Sequence, residues 1–326
     1  MERSLINYLI LPKGVQSIFF KSYVYFVPFL YSLTIDFKYL QNFLLFLLIF
    51  TLFEFVINPS RYQLNDIADY KEDRQRHHHW ERPVNQENES LILAIALSRF
   101  TIGAAIAFFL NVKLVYLVIA FLALQFFYDH FAKKFSPLLA IFAVSIAYPL
   151  RSLTVFYGLG MGLDKTSMLL LLSILLYSTY MVTQWRRHES LFITKNKLVP
   201  KSHSEFFSSH RIKFLIFPTL LVFLLAFILL IVSLIKIETN SAVIIYGISL
   251  LLVTILSFSS KDTLKKIIAQ SHNIIIAFLF IVLILDRFFI GLAAAIISIF
   301  VIFWYHRIYA ERFANNYFNE THYEKT

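Results

Sequence analysis

The chain has 326 residues, 58% hydrophobic and 15% charged, with a mean hydropathy of +0.67. Average soluble domains are about a quarter charged, so no soluble domain of ordinary size fits this balance and the bilayer is the natural solvent. There is no cysteine, which excludes disulfides, thiolate zinc sites and thiol nucleophiles and leaves oxygen or imidazole to hold any metal.

A helix needs roughly 20 apolar residues to cross about 30 Å of hydrocarbon. Runs of that kind predict spans near 16–35, 40–58, 91–110, 112–128, 136–157, 167–184, 213–235, 241–258, 267–285 and 288–305. Only Asp286 and Arg287 interrupt the last two, so the expectation is an all-α transmembrane bundle of nine or ten spans, one integral membrane domain over residues 1–326. No small-residue cleavage site follows the first stretch, which reads as a retained span in a mature chain starting at Met1.

The formal net charge of +10 follows from topology. With the N-terminus in the cytoplasm, Arg61, Lys71, Arg74, Arg76, Arg82, Lys133, Lys134, Arg186 and Arg187 fall inside, whereas outside loops hold Lys38, Lys113, Lys165, Lys236 and Arg287. The basic residues form no patch interleaved with exposed aromatics, so nucleic acid is not an expected partner. Three segments, 60–90, 128–136 and 186–212, then form a cytoplasmic cap after spans two, four and six. A bacterial inner (plasma) membrane is the expected location, and no obligatory protein partner is indicated.

The first cap segment carries the clearest chemistry. Asp66, Asp69 and Asp73 stand at i, i+3 and i+7, so a helix sets all three carboxylates on one face, with Asn65 four residues before Asp69. Like charges so stacked repel by a few tenths of a kcal/mol per pair, and a divalent cation reverses the sign. Mg²⁺ takes oxygen ligands, commonly one or two carboxylates plus substrate phosphates and water. A solvated charged loop, balanced by Lys71, Arg74, Arg76 and Arg82, is the plainer alternative. Placement directly after an apolar run that ends at Ile57 favours the metal.

The run Asn65-Asp66-x-x-Asp69-x-x-x-Asp73-Arg74, followed eight residues later by Arg82-Pro83, resembles the first signature of the UbiA-type intramembrane prenyltransferases. The resemblance implies spans bundled around a central cavity and Mg²⁺-assisted transfer from a polyprenyl diphosphate or another phosphorylated substrate. It makes Asp66, Asp69 and Asp73 metal ligands and catalytic residues, and Asn65, Arg74 and Arg82 substrate contacts. Tyr128-x-x-x-x-Lys133 is similar to the family's Tyr and Lys pair, where the lysine meets diphosphate as a point charge. The alternative there is an interfacial tyrosine beside positive-inside lysines.

Arg151 lies within a span that looks like the family's fifth. A charge there costs at least about 2.5 kcal/mol and normally faces an interior site. A catalytic clamp is one reading, and a structural partner such as Asp164 or a backbone carbonyl is the other. The family's second signature is usually another acidic pair, but this chain has Trp185-Arg186-Arg187-His188-Glu189, with one acid. With one residue fewer before the Glu, that stretch resembles the Lys/Arg-Arg-x-x-Glu pattern of the decaprenyl-phosphate phosphoribosyltransferase branch, which implies phosphate contacts by the Arg186 and Arg187 guanidinium groups and makes Glu189 a substrate contact. Motif-level likeness covers about Leu40 to Glu189.

Other polar residues weigh less. Arg99 reads as pairing within the bundle. Glu54, in the last turns of the second span, is a functional acid, a hydrogen-bond partner or a snorkelling side chain. His77, His78 and His79 are consecutive and point in different directions, so they make no zinc site.

The expected activity is prenyl transfer, or phosphoribosyl transfer to a polyprenyl phosphate, with Lys133, Arg151, Arg186 and Arg187 clamping the phosphate oxygens. A membrane terpene cyclase and a non-enzymatic transporter are the alternatives. Transporters place ionisable residues near the midplane in paired repeats, whereas these acids cluster at one surface.

Overall fold

The structure is a computed structural model, which describes residues 5–12, 23–35, 39–75 and 83–164, scattered helical positions from 167 to 190, and 204–208. Every regular element among the described residues is helical. Within hydrocarbon no water pairs with exposed backbone groups, so long apolar segments satisfy themselves as helices.

The elements are α1 (Leu5–Ile10), α2 (Tyr23–Ile35), α3 (Tyr39–Thr51), α4 (Asn58–Gln75), α5 (Glu89–Leu110), α6 (Val112–Phe127), α7 (Lys133–Phe135), α8 (Pro137–Gly158) and α9 (Ser204–Ser208). Among the described residues four stretches are long and apolar enough to cross a membrane, namely Gln41–Lys71, Glu89–Leu110, Val112–Phe135 and Pro137–Gly158. They correspond to the spans expected at 40–58, 91–110, 112–128 and 136–157. The spans expected from residue 213 onward lie outside the described residues, and those at 16–35 and 167–184 are described only in part.

Two spans run further than their apolar stretches. The helix through α3 continues past Asn58 and Pro59 into α4, so residues 60–75 of the first cap segment extend the span as helix. A π-helical turn, Leu52–Ile57, joins the two, with the Asn58 N–H donating to Phe53 O. Pro59 has no N–H to give and would crowd the preceding turn, and the wider turn falls just where that misfit arises. In the same way α6 passes through a second π-helical turn, Tyr128–Ala132, into α7.

The joints between spans are short and capped by side chains. Asn111 separates α5 from α6; its Oδ1 accepts from the Lys113 N–H at 2.9 Å, and its Nδ2 donates to Tyr157 O at 2.7 Å, tying the joint to the end of α8. Ser136 caps α8, its Oγ accepting from the Leu138 N–H at 3.2 Å, and Pro137 opens that helix where a missing N–H costs nothing. Before α5, Asn85 and Asn88 each accept the other's backbone N–H, at 2.8 and 2.9 Å.

The core is aromatic and aliphatic, with Tyr25, Phe46, Ile49, Phe53, Leu114, Phe121, Val155 and Phe156 fully buried. At Gly103 the α5 backbone comes so close to the first π turn that a Cβ would overlap the Ile57 side chain. Phe43, Leu44, Leu48, Phe108, Phe109 and Phe126 are exposed, which suits a surface solvated by lipid.

Candidate functional site

The acid helix α4 presents two carboxylates in different settings. Asp66 is fully buried, and its Oδ2 accepts from the Tyr8 hydroxyl at 3.0 Å. Tyr8 belongs to α1, which packs against α4 and α5 through Tyr8, Tyr70, Val84 and Ile92, with Leu5, Leu9 and Ile67 alongside. Carbonyls in the last turn of a helix lack intrahelical donors. For α1 they are met by Gln63 Nε2 on Leu9 O and Arg99 Nη2 on Ile10 O, both at 3.3 Å. Arg99 Nη1 also donates to Gln63 Oε1 at 3.4 Å, so it pairs within the bundle as its position suggested.

Asp69, one turn further on, faces Lys133. Lys133 Nζ lies 2.8 and 2.7 Å from its two oxygens and 3.0 Å from Asn65 Oδ1, while Asn65 Nδ2 donates to Asp69 Oδ2 at 3.1 Å. The ammonium also lies 3.0 Å from Asp129 Oδ1, giving four close oxygens for three N–H donors, so some bonds are shared.

The second π turn explains how the Tyr128 and Lys133 pair is presented. Residues five apart on an α-helix stand about 140° apart. Here the Lys133 N–H donates to Tyr128 O, five residues back, and this wider turn brings the two side chains round to one face. Lys133 Nζ sits 4.7 Å from the Tyr128 ring centroid. Arg186 Nη2 donates to the Tyr128 hydroxyl at 2.6 Å. Asn65, Asp69, Tyr128, Lys133 and Arg186 therefore meet, although they come from three separated stretches of sequence.

Arg151 lies in a second polar centre, deeper in the bundle. Its Nε donates to Glu54 Oε1 at 2.9 Å, its Nη2 to Asn58 Oδ1 at 3.0 Å and its Nη1 to Ala147 O at 3.3 Å. Glu54 Oε1 also accepts from the Tyr25 hydroxyl at 2.6 Å and from Asn58 Nδ2. Arg61 Nη1 reaches Asn58 Oδ1 at 3.3 Å, and its guanidinium lies 5.2 Å from the Phe121 ring centroid. Asn58 and Asn65 are seven residues apart on one helix, or about 10 Å along its axis. Arg151 is thus neutralised by Glu54 and also meets a backbone carbonyl, Ala147 O, whereas the sequence suggested Asp164 or such a carbonyl as its structural partner.

Asp164 has other duties, in the loop after α8. It accepts from the Tyr31 hydroxyl at 2.9 Å and from the Ser167 N–H at 2.7 Å, while its own N–H donates to Ser167 Oγ at 2.8 Å. This reciprocal pair starts the helical residues that follow. Burial pushes the Asp164 carboxyl up, but the bonds from Ser167 and Tyr31 outweigh it and hold the group below the ordinary carboxylate range.

Arg82, Arg187 and Glu189 lie outside the described residues, as do the side chains of Asp73 and Arg74. Among the described residues no three His, Cys, Asp or Glu side chains converge as a metal cage. What α4 offers is Asn65, Asp66 and Asp69, oxygen donors only, within a little over one turn. That set fits a Mg²⁺ ion shared with substrate phosphates, which needs few protein carboxylates.

Several residues of the two centres were not singled out from sequence. Asp129 and Gln125, at i−4 and i−8 from Lys133, were open to detection by spacing. Tyr8, Tyr25 and Arg61 gave no such signal.

A helical integral membrane protein with a lysine clasped by acids where its spans lose their apolar character is the class these features define. The UbiA prenyltransferase family model matches residues 25–269, and the chain belongs to that family, whose members are membrane prenyltransferases. The match extends on both sides of the motif-bearing region, Leu40 to Glu189. No curated protein matches the chain.

Proposed function

We propose that the protein is a Mg²⁺-dependent UbiA-type transferase that moves a polyprenyl group from its diphosphate to an acceptor or, as the close variant, phosphoribosyl from its diphosphate to a polyprenyl phosphate. The observation that carries this is the contact of Lys133 Nζ with Asp69 and Asn65, which joins two signature segments 64 and 68 residues apart. Asn65, Asp66, Asp69 and Asp73 would hold Mg²⁺, which when bound offsets the charge gathering on the leaving diphosphate.

The chain's own groups do the rest. Lys133 meets phosphate oxygens as a compact charge, and Tyr128, held by Arg186 through its hydroxyl, flanks it. Arg74, Arg82 and Arg187 join them through their places in the motifs, and Glu189 contacts another part of the substrate. Arg151 supports the site from below, locking α8 to the π turn from which α4 rises. The apolar bundle keeps water from the reacting carbon and accommodates an isoprenoid chain. The excess of basic residues on the motif side supports a cytoplasmic position for this site, at an inner (plasma) membrane.

The test incubates purified protein in detergent with Mg²⁺ and a panel of prenyl diphosphates, with and without aromatic acceptors, and with phosphoribosyl diphosphate plus a polyprenyl phosphate. The expected result is an acceptor-dependent product that disappears in Asp66→Asn and Asp69→Asn. Product formed without acceptor would instead identify a cyclase. Substrate flux across vesicles without turnover would identify a transporter and reject the proposal.

A further inference from the structure

Asp129 has no part in the reaction as described above, yet the fold buries its carboxylate, leaving the side chain 4% exposed. It belongs to the second π turn, four residues before Lys133, and its Oδ1 lies 3.0 Å from Lys133 Nζ. Its Oδ2 accepts from Gln125 Nε2 at 2.6 Å, and Gln125 is itself buried. A buried carboxylate is costly unless it is paired and hydrogen-bonded, so this one is held in place from both sides.

Charge explains what the arrangement is for. Lys133 carries one positive charge and faces two carboxylates, Asp69 on α4 and Asp129 on its own helix. When Asp69 turns to a cation that arrives with a phosphorylated substrate, a lysine anchored on α4 alone would lose its carboxylate anchor. Its ammonium would then be free to swing out of register with the phosphate oxygens it has to meet. Asp129 keeps the ammonium neutralised and in place, because an i−4 partner moves with the same helix whatever α4 does.

The geometry points to Asp129, steadied by Gln125, as a positioning residue that holds the Lys133 ammonium toward the acid face of α4 while Asp69 is released to the substrate complex. Asp129 touches Lys133 and acts through it. The assignment rests on the reading of this site as one that binds diphosphate.

The test measures binding of inorganic pyrophosphate to the purified full-length protein by calorimetry, with Mg²⁺ present, for the wild type, Asp129→Asn, Asp129→Glu, Lys133→Met and the Asp129→Asn/Lys133→Met pair. Asp129→Asn is expected to weaken binding by about 10-fold to 100-fold, the range seen for second-layer partners of ligating groups, with Asp129→Glu restoring most of it. In the Lys133→Met background, Asp129→Asn should add no more than about twofold, because its effect runs through the lysine. An equal loss in both backgrounds, or wild-type binding by Asp129→Asn, overturns the proposal. Should Asp129→Asn fail to fold, Gln125→Met frees one end of the carboxylate and is expected to weaken binding several-fold, and unchanged binding overturns the proposal equally. Wild-type protein that binds no pyrophosphate sinks the diphosphate reading itself and this assignment with it, a result distinct from wild-type binding that ignores Asp129.

Discussion

The Tyr8 hydroxyl donates to Asp66 Oδ2 at 3.0 Å across 58 residues of sequence, so the N-terminal helix α1 closes onto the first signature acid. A cation on Asp66 and the Tyr8 hydroxyl address the same carboxylate. Hydrogen bonds to charged groups are worth roughly 1.5–3 kcal/mol. Tyr8→Phe keeps the ring in its buried place and removes only the donor, so in the absence of divalent cation it is expected to lower the unfolding temperature in detergent. Adding Mg²⁺ should then raise that temperature more in the variant than in the wild type. Equal Mg²⁺ shifts in the two proteins would mean that the hydroxyl and the ion do not share Asp66.

Lys133 bridges the two signature segments, and its loss should fall on turnover. Removing one preorganised group that meets developing charge costs about 10²–10³ in kcat. Lys133→Met and Asp69→Asn are each expected to lose that much in initial rate at saturating prenyl diphosphate. The double variant should lose less than the product of the two single losses, since each side chain positions the other before the substrate arrives. Strictly additive losses would separate their roles.

Glu54 and Arg151 are 3% and 2% exposed, and each satisfies the other. Breaking a buried pair from one side costs about 3–5 kcal/mol, because a charge is left without its partner. Glu54→Gln leaves the buried Arg151 guanidinium without its ion-pair partner, and it is expected to destabilise by that amount. Glu54→Gln combined with Arg151→Met should cost less than the sum of the single changes. Denaturation in graded SDS micelles measures all of these, and a double variant at or above the sum would contradict the pairing.

The bonds to Asp164 predict a pH effect of defined sign. Its carboxyl is held below the ordinary range, so the folded protein binds that proton less readily than the unfolded chain does. The contribution is complete above the unfolded value near 3.9 and is lost as pH falls through the lower folded value. Asp164→Asn keeps a side chain able to cap the helix but removes the charge. The gap in unfolding temperature between wild type and variant should be widest near neutral pH and close from about pH 4 downward. A gap that widens in acid would refute this.

Much of the first site was readable in advance because its cues are local. Helical periodicity puts Asn65, Asp66 and Asp69 within a little over one turn of each other, and the structure keeps them there. The pairing of Tyr128 with Lys133 was readable only as a motif, since an unbroken α-helix would have turned the two apart; the π turn reconciles them. Arg151 shows the opposite case. Its burial followed from a charge inside an apolar run, but its partner did not, and Glu54 lies 97 residues away.

The amino-acid sequence alone determined that this is a helical membrane protein, where the four spans between residues 40 and 158 run, and that carboxylates gather as the first of these four loses its apolar character. Hydrophobic length and helical spacing are properties of neighbours along the chain, and they survive without knowledge of packing. Tertiary structure alone decided that Tyr8 reaches Asp66, that Lys133 reaches Asp69 as well as its helical neighbour Asp129, and that Arg151 turns to Glu54. Those choices depend on which helix faces which, and on how closely. Side-chain volumes such as Ile57 against Gly103, and two wide helical turns, set that over distances no local pattern encodes.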